Sequence, residues 1–388
     1  MELATTATII GAGATGLAVG LELLNSGVEF IIVEKGKPGM GATCNSAGVL
    51  HCGARYALID PHLAKLCSLA KERLKAIVPF TVINENDAYY LITDTRSEAY
   101  AQELFNSCKA LDIPVRYLTT DETLRHEPRL KREFLGALAV PDYIMDPFLL
   151  ISSYSEYLNK QGVLLLRDTR LGGAQRVGDD WKLTLRTQSS NIGITCEVII
   201  VASGAWTPDI LKLFGIDLIV QQVNGSMFVF PERLVNRVVC LCNAPSSYDS
   251  VIPCYESTLV GSTWKRQETS EPTPPSLEDF KEAWDNLSRI ISVPCQRSFT
   301  RGYSGVRTML MEHDDTTRPL SRAIKRNFHL LDHESLHGVK NLLSVFGGKL
   351  TLHNLMAVEA AKLVHERLDL RFDLSRQKRD GAASAQDS

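Results

Sequence analysis

The sequence predicts an α/β protein in which a Rossmann-like domain is interrupted by a split, antiparallel-sheet (α+β) domain. Three observations lead to this prediction. In the first 34 residues, an apolar run, a glycine-rich turn, a helical pattern and a second apolar run follow one another. The order of strand, Gly-Gly turn and helix returns at residues 342–368. Between these regions, residues 216–300 contain short segments of alternating polarity, which is typical of antiparallel strands.

The opening turn contains Gly11, Gly13 and Gly16 in the spacing G-x-G-x-x-G. Gly11 is expected to form the turn, Gly13 to let the backbone approach a pyrophosphate, and Gly16 to let the helix pack closely on the strand. The helix would face the phosphates with its free N–H groups and the positive end of its dipole. Glu34 follows Gly16 by 18 residues, where a carboxylate can accept ribose hydroxyls. The unit predicts a dinucleotide site; the alternative is a glycine-rich turn in another kind of α/β protein.

The segments between these motifs are less regular. Residues 36–57 form a glycine-rich loop that is suited to lie close to a ligand. Strands are predicted at residues 219–223 and 227–230, and the proline-rich linker at 271–275 precedes a predicted helix.

This order of elements predicts two domains and a tail. Residues 1–79, 146–214 and 301–370 would form the Rossmann-like domain, 80–145 and 215–300 the substrate-binding domain, and 371–388 a disordered tail.

Composition excludes several classes of protein. The chain has 388 residues, which suits two domains, and its 44% apolar content is ordinary for a globular protein. A net charge of −3 gives no reason to expect nucleic acid or an anionic membrane as partner. The nine cysteines are scattered without a C-x-x-C pair or a metal-ligand spacing, which predicts reduced thiols, a cytosolic compartment and no metal site.

The apolar opening segment is not expected to be a signal or a membrane span. It lacks a basic start, since residue 2 is Glu, and its glycines have the nucleotide-binding spacing. A buried strand and helix are predicted instead.

Four stretches together resemble the FAD-dependent oxidoreductases of the D-amino-acid-oxidase-like superfamily. They are residues 11–34, 41–56, 201–206 and 347–349. Within this superfamily, the chain looks most like the catalytic A subunits of anaerobic glycerol-3-phosphate dehydrogenases. The motifs that carry this likeness are residues 51–56, 140–142, 146–148, 303–307 and 347–350.

The resemblance implies oxidation of sn-glycerol 3-phosphate to dihydroxyacetone phosphate by hydride transfer to flavin N5. Electrons would then pass to a quinone or to a partner subunit. The expected location is the cytoplasm, either free or at the inner face of the membrane. One alternative is a 2-hydroxy-acid dehydrogenase of the L-2-hydroxyglutarate type, and another is a non-catalytic flavin-bearing subunit.

The resemblance also assigns cofactor residues. Thr43 and Ser46 offer hydroxyls in the glycine-rich loop, and the helix start after Gly348 would stabilise negative charge on the reduced flavin with the help of Lys349. The alternatives are an ordinary loop turn and a solvated lysine. The predicted FAD ligands are Gly11, Gly13, Ala14, Thr15, Gly16, Glu34, Lys35, Thr43, Ser46, Gly204, Gly348, Lys349, Leu350 and Thr351.

His51 is the candidate base, because oxidation of an alcohol needs a group that removes the hydroxyl proton and imidazole titrates near neutrality. His353 is the second candidate, and a structural histidine is the alternative for both. Planar guanidinium groups bind phosphate or carboxylate well. The predicted catalytic residues are His51 and Arg307, and the predicted ligands of an anionic alcohol are Arg55, Tyr56, Arg307 and Lys349.

Overall fold

A computed structural model of the chain describes residues 2–244, 250–293, 298–311 and 328–372. The strands are β1 (Glu2–Ile10), β2 (Phe30–Val33), β3 (Val49–Leu50), β4 (Val82–Asn84), β5 (Ala88–Ile92), β6 (Arg116–Thr119), β7 (Gly136–Val140), β8 (Tyr143–Met145), β9 (Leu164–Leu166), β10 (Arg170–Val177), β11 (Asp180–Arg186), β12 (Asn191–Val201), β13 (Val220–Phe230), β14 (Val239–Leu241), β15 (Ser250–Cys254), β16 (Ser257–Gly261), β17 (Lys265–Gln267), β18 (Arg301–Leu310), β19 (Phe328–Asp332) and β20 (Leu342–Gly347). The α-helices are α1 (Ala14–Asn25), α2 (Pro61–Ile77), α3 (Thr95–Ala110), α4 (Thr120–His126), α5 (Pro147–Lys160), α6 (Thr207–Leu211), α7 (Leu277–Ile290), α8 (His333–His337) and α9 (His353–Arg367).

The first sheet has the Rossmann-like arrangement that the sequence predicts. Its main path is β10-β11-β12-β1-β2-β9, and β20 pairs with both β12 and β19. The four pairs β12–β1, β1–β2, β2–β9 and β12–β20 are parallel. Helix α1 packs against α5 and α9. All four residues of β2 are buried, as expected for a parallel strand that is covered on both faces.

The second sheet has nine strands in the order β17-β13-β16-β15-β14-β5-β7-β6, with β18 paired to β13. Its pairs are antiparallel except β14–β5, which is parallel. The sheet joins two separated parts of the chain, as predicted. Residues 301–310 were expected in the Rossmann-like domain, but as β18 they pair with β13 from Val220 to Val229. The strand therefore belongs to the second sheet, while the division of the chain into domains stays a prediction.

Strand β13 also runs without a break through residues 224–226, where the sequence predicted a gap between two strands. Gly225 lies opposite Gly305 in this ladder. The long partner strand keeps a glycine-containing segment extended, although glycine alone disfavours strand structure.

One hydrophobic cluster runs between α1, α2, α5 and α9 and continues to β5 and Cys240 of the second sheet. A second cluster lies between the second sheet and α7, and a third covers the other face of the first sheet.

Cys240 and Cys242 are buried free thiols, as predicted. Cys295 and residues 373–388 of the predicted tail lie outside the described residues. Within the described ranges, no helix has both the length and the apolar character that crossing a bilayer requires.

Candidate active site

The glycine-rich turn joins β1 to α1 and is tightly packed. Gly11 has φ +112°, a conformation that L-residues with a side chain rarely adopt. A Cβ atom added at Gly16 would lie 2.0 Å from the carbonyl oxygen of Gly11. Gly13 caps the helix with an extended backbone. The turn thus has the close helix–strand contact that the motif predicts.

Glu34 and Thr43 hold the backbone around this turn. The Glu34 carboxylate accepts hydrogen bonds from the N–H groups of Ala12 and Gly36, both at 2.9 Å. Thr43 Oγ1 accepts one from the N–H of Ala14 at 3.1 Å. A carboxylate has about four lone-pair sites, so Glu34 keeps the capacity to accept further donors.

Lys35, a predicted cofactor ligand, has its side chain paired with Glu271 and Trp206. Its Nζ lies 2.9 Å from Glu271 Oε1 and 3.4 Å from the centroid of the Trp206 ring. Trp206 Nε1 donates to the same Glu271 oxygen at 2.7 Å. Lys35 therefore ties the start of the proline-rich linker to the first sheet.

A cavity of about 840 Å³ opens between the carboxyl ends of the first sheet and the face of the second. This volume is typical of ligand pockets, which span roughly 300–1,000 Å³. The cavity is lined by every predicted site residue except Gly16 and Thr351. Gly16 is buried against the strand, and Thr351 Oγ1 accepts a hydrogen bond from the N–H of His51 at 3.1 Å.

His51 is paired with a buried carboxylate. Its Nδ1 lies 3.2 Å from Asp142 Oδ2. Asp142 Oδ1 accepts from the N–H of Cys52 at 2.6 Å, and Asp142 Oδ2 accepts from the hydroxyl of Tyr90 at 2.9 Å. The Asp142 side chain is 2% exposed, whereas that of His51 keeps 20% and lines the cavity. Asp142 therefore contacts the Nδ1 side of the imidazole, and the remainder of the ring is open to the cavity.

Burial and neighbouring charges set the protonation of this pair. Burial lowers the pKa of His51, and Lys349 and Arg55 lower it further, against the opposing effect of Asp142. Burial alone would raise the pKa of Asp142, but the interactions with His51 and Cys52 lower it to about 2. Near pH 7, a neutral imidazole thus stands beside an ionised carboxylate.

Six cationic side chains line the same cavity, and three of them, Arg55, Arg307 and Lys349, are the predicted ligands of an anionic substrate. Arg307 donates to Ser262 Oγ at 2.7 Å and to the carbonyl of Thr263 at 3.3 Å. Arg55 donates to Cys240 Sγ at 3.4 Å. Lys349 Nζ lies 4.2 Å from the centroid of the Tyr56 ring. The site therefore brings an imidazole and these three cationic side chains to one cavity.

Comparison with known proteins identifies the family. The model of the family described as FAD dependent oxidoreductase matches residues 6–351. The chain belongs to this family. This confirms the family resemblance, the fold class and FAD as the cofactor.

Among curated proteins, this FAD-dependent oxidoreductase is similar to subunits of anaerobic glycerol-3-phosphate dehydrogenase. The A1 subunit from Haloferax volcanii is 26% identical over 380 residues, covering 95% of this chain and 64% of that protein. The A subunit from Escherichia coli is 27% identical over 366 residues, covering 93% and 67%. This chain thus spans about two thirds of the length of these relatives.

Solved structures share the fold at lower identity. Glycine oxidase from Geobacillus kaustophilus has a TM-score of 0.76 at 21% identity, with 94% of this chain and 95% of that chain covered. L-alpha-glycerophosphate oxidase from Mycoplasma pneumoniae, solved with FAD bound, has a TM-score of 0.76 at 18% identity, with 93% and 95% covered.

The residues of the cavity fit FAD. The N-terminus of α1 and the turn at Gly11 provide the close backbone approach that a pyrophosphate needs. Ser203 lines the cavity, and its buried hydroxyl has no hydrogen-bond partner within the described protein atoms. A buried hydroxyl is normally satisfied, so a bound ligand that supplies its partner accounts for this one.

His353, the second candidate base, has both ring nitrogens engaged. Nδ1 lies 2.6 Å from the carbonyl of Leu350, and Nε2 lies 3.1 Å from the hydroxyl of Tyr154. Burial lowers its pKa to about 4. This geometry favours the structural interpretation, in which His353 fixes the start of α9.

Sequence reasoning missed Asp142, Ser262 and Glu271 as parts of the site. The motif at residues 140–142 entered the family resemblance, but no role was given to its carboxylate. Ser262 and Glu271 lie in segments whose contacts depend on how the second sheet folds against the first. The glycines at 225 and 305 were an available signal, because paired glycines in a strand mark a close approach.

Gly225→Ala is expected to displace Arg307 without unfolding the sheet. An added Cβ atom would lie 2.2 Å from Arg307 Nη1, and the end of a flexible side chain moves more easily than backbone. Since hydrogen bonds from charged groups contribute about 1.5–3 kcal/mol, affinity for an anionic ligand should fall roughly 10- to 100-fold, as measured by flavin absorbance changes on titration. The matched control is Gly173→Ala in β10, where an added Cβ meets no atom of the described residues within 4 Å. Equal affinity in both variants would contradict a ligand role for Arg307.

Proposed function

We propose that this protein oxidises sn-glycerol 3-phosphate to dihydroxyacetone phosphate as a FAD-dependent dehydrogenase of CH–OH donors. The observation that carries the proposal is that the His51 imidazole, held by Asp142, lines one cavity together with Arg55, Arg307 and Lys349. A small alcohol with an anionic group matches this arrangement. The names of the Haloferax volcanii and Escherichia coli relatives support the same substrate.

In this proposal, each side chain has one task. Nε2 of His51 accepts the proton of the substrate hydroxyl, and Arg55, Arg307 and Lys349 bind the phosphate and exclude neutral alcohols. FAD, when bound, supplies the acceptor for the hydride that leaves the alcohol carbon. The start of α9, after the Gly347-Gly348 turn, places the positive end of a helix dipole at the cavity.

The remaining ligand roles are part of the same proposal. Gly11, Gly13 and the N-terminus of α1 would hold the pyrophosphate, and Glu34 the ribose. The names of the relatives describe them as subunits, which supports an electron-accepting protein partner, with a quinone as the other acceptor. A cytoplasmic location, including the inner face of the membrane, is proposed on the same basis.

Anaerobic bleaching of the bound flavin tests this proposal. Purified holoprotein is mixed without oxygen with sn-glycerol 3-phosphate, L-2-hydroxyglutarate or glycerol, and the flavin absorbance is followed. We expect rapid bleaching by sn-glycerol 3-phosphate and none by glycerol at the same concentration, because glycerol lacks the anionic group.

The panel also separates the alternatives. The three cations would bind two carboxylates as well as one phosphate, so bleaching by L-2-hydroxyglutarate alone would replace the proposed substrate with a 2-hydroxy acid. A flavin that none of these three alcohols bleaches would instead favour a non-catalytic flavin-bearing subunit.

A further inference from the structure

We propose that Asp142 is a positioning residue for His51, which fixes the imidazole with its unprotonated Nε2 toward the cavity and stabilises the imidazolium that forms on proton uptake. This inference rests on the proposed role of His51 as the base. It assigns a task to a buried carboxylate that is not among the described residues lining the cavity.

The hydrogen bonds around Asp142 determine the tautomer of His51. An ionised carboxylate only accepts hydrogen bonds, and Asp142 receives them from Cys52 N–H and Tyr90 O–H. The 3.2 Å contact with His51 Nδ1 is therefore a third donor bond, which requires the proton on Nδ1. In a neutral imidazole, the other nitrogen is then an acceptor.

The backbone on both sides of the pair is anchored. Asp142 lies in the turn between β7 and β8, and its N–H donates to the carbonyl of Val140 at 2.8 Å. The buried Lys71 of α2 donates to the carbonyl of Pro141 at 3.1 Å. On the other side, Thr351 accepts from the N–H of His51. Asp142 is thus held independently of His51, as a positioning group must be.

The charges around His51 make Asp142 necessary. His51 faces two cations, Arg55 and Lys349, and one anion, Asp142. The centroid of the Tyr56 ring lies 5.6 Å from that of the His51 ring. Asp142 is contacted in turn by Tyr90 and Cys52. Among these, Asp142 is the anion that favours an imidazolium. Since burial and both cations oppose the protonated form, uptake of a proton depends on the compensating carboxylate.

A purely structural role of Asp142 predicts that Asn can replace it without loss of rate. If Asp142 only satisfied the N–H of Cys52, then Asn would serve as well, because its carbonyl oxygen accepts the same bond. Asp142→Asn separates the two roles, since it preserves shape but replaces one oxygen with an N–H₂ donor. That donor facing Nδ1 would favour the opposite tautomer, with the proton on Nε2.

The test measures Asp142→Asn holoprotein in two ways. Stopped-flow anaerobic flavin reduction by sn-glycerol 3-phosphate should be slowed about 100-fold or more, because an Asp→Asn change at a comparable His–Asp pair in serine proteases has a large effect on kcat. The substrate Kd should change little. In ¹⁵N-histidine NMR of the holoprotein, the His51 proton should move from Nδ1 to Nε2. In a His51→Gln background, Asp142→Asn should add no further loss of rate.

Tyr90→Phe keeps the proposal testable if Asp142→Asn does not fold. It retains the carboxylate but removes the hydrogen bond from the Tyr90 hydroxyl to Oδ2. The negative charge of Asp142 is then less neutralised and stabilises the imidazolium of His51 more strongly. The His51 pKa, read by the same NMR, should rise relative to the unsubstituted protein. An unchanged His51 pKa in Tyr90→Phe would overturn the inference.

Failure of this inference differs from failure of the proposed function. If the unsubstituted protein oxidises the alcohol and Asp142→Asn keeps the same rate and tautomer, only the role of Asp142 is wrong. If no alcohol reduces the flavin, the proposed function is wrong, and the NMR tautomer still decides whether Asp142 positions the imidazole.

Discussion

His51→Gln is expected to slow anaerobic flavin reduction by the alcohol about 10²–10⁴-fold, the usual contribution of a general base. Gln can still donate to Asp142 but cannot take the hydroxyl proton near neutral pH. Because the three cations remain, the substrate Kd should stay within a few fold of its original value. Stopped-flow reduction over a range of substrate concentrations measures the rate constant for flavin reduction and the substrate Kd separately.

The pKa of His51 determines how the rate of flavin reduction should depend on pH. A base acts in its unprotonated form, and burial and neighbouring cations lower the pKa of His51 below 6.5. The rate constant for flavin reduction should therefore be nearly constant around pH 7 and fall as the pH drops through this lowered pKa. His51→Gln should lack that acidic limb.

His62→Gln is the matched control, because His62 is an exposed histidine on α2. It should retain the original rate and pH profile. A His51→Gln protein with full FAD content and an unchanged rate would show that another group, or water, takes the proton.

Local signals in the sequence were sufficient to predict the elements around the glycine-rich turn. The glycine turn, helix α1 and Glu34 lie within one βαβ unit, so their relative positions follow from standard geometry. The Gly347-Gly348 turn before α9 was recognised for the same reason. These predictions needed only contacts between neighbours along the chain and the known arrangement of strands in such a sheet.

Contacts across the fold were not predictable in this way. Asp142 meets His51 over a separation of 91 residues, and Glu271 meets Lys35 over 236. The sequence predicts Lys35 as a cofactor residue, but the contact of its side chain with Glu271 depends on a partner far along the chain. Likewise, the break expected in β13 is overridden by its long pairing with β18. Tertiary pairing, absent from local patterns, decided each of these cases.

Gly16→Ala is expected to abolish or severely weaken FAD binding. The added Cβ would lie 2.0 Å from the Gly11 carbonyl oxygen and 3.0 Å from its carbon. These are backbone atoms of the turn itself, so helix α1 must move away from the strand and widen the phosphate-binding turn. Overpacking of this kind costs about 1–3 kcal/mol or more, which corresponds to roughly 5- to 150-fold in affinity.

The matched control is Gly20→Ala, one helical turn further along α1. There, an added Cβ meets the side chains of Phe30 at 3.0 Å and Ile32 at 3.2 Å, which can adjust, and Ala favours a helix by about 1 kcal/mol over Gly. The ratio of flavin to protein after purification, the FAD Kd of reconstituted apoprotein and its thermal unfolding measure both variants. Gly20→Ala should bind FAD normally. A shift of α1 caused by this backbone clash would change any binding site at the turn. If Gly16→Ala folds and binds FAD equally well, the pyrophosphate therefore does not lie at this turn.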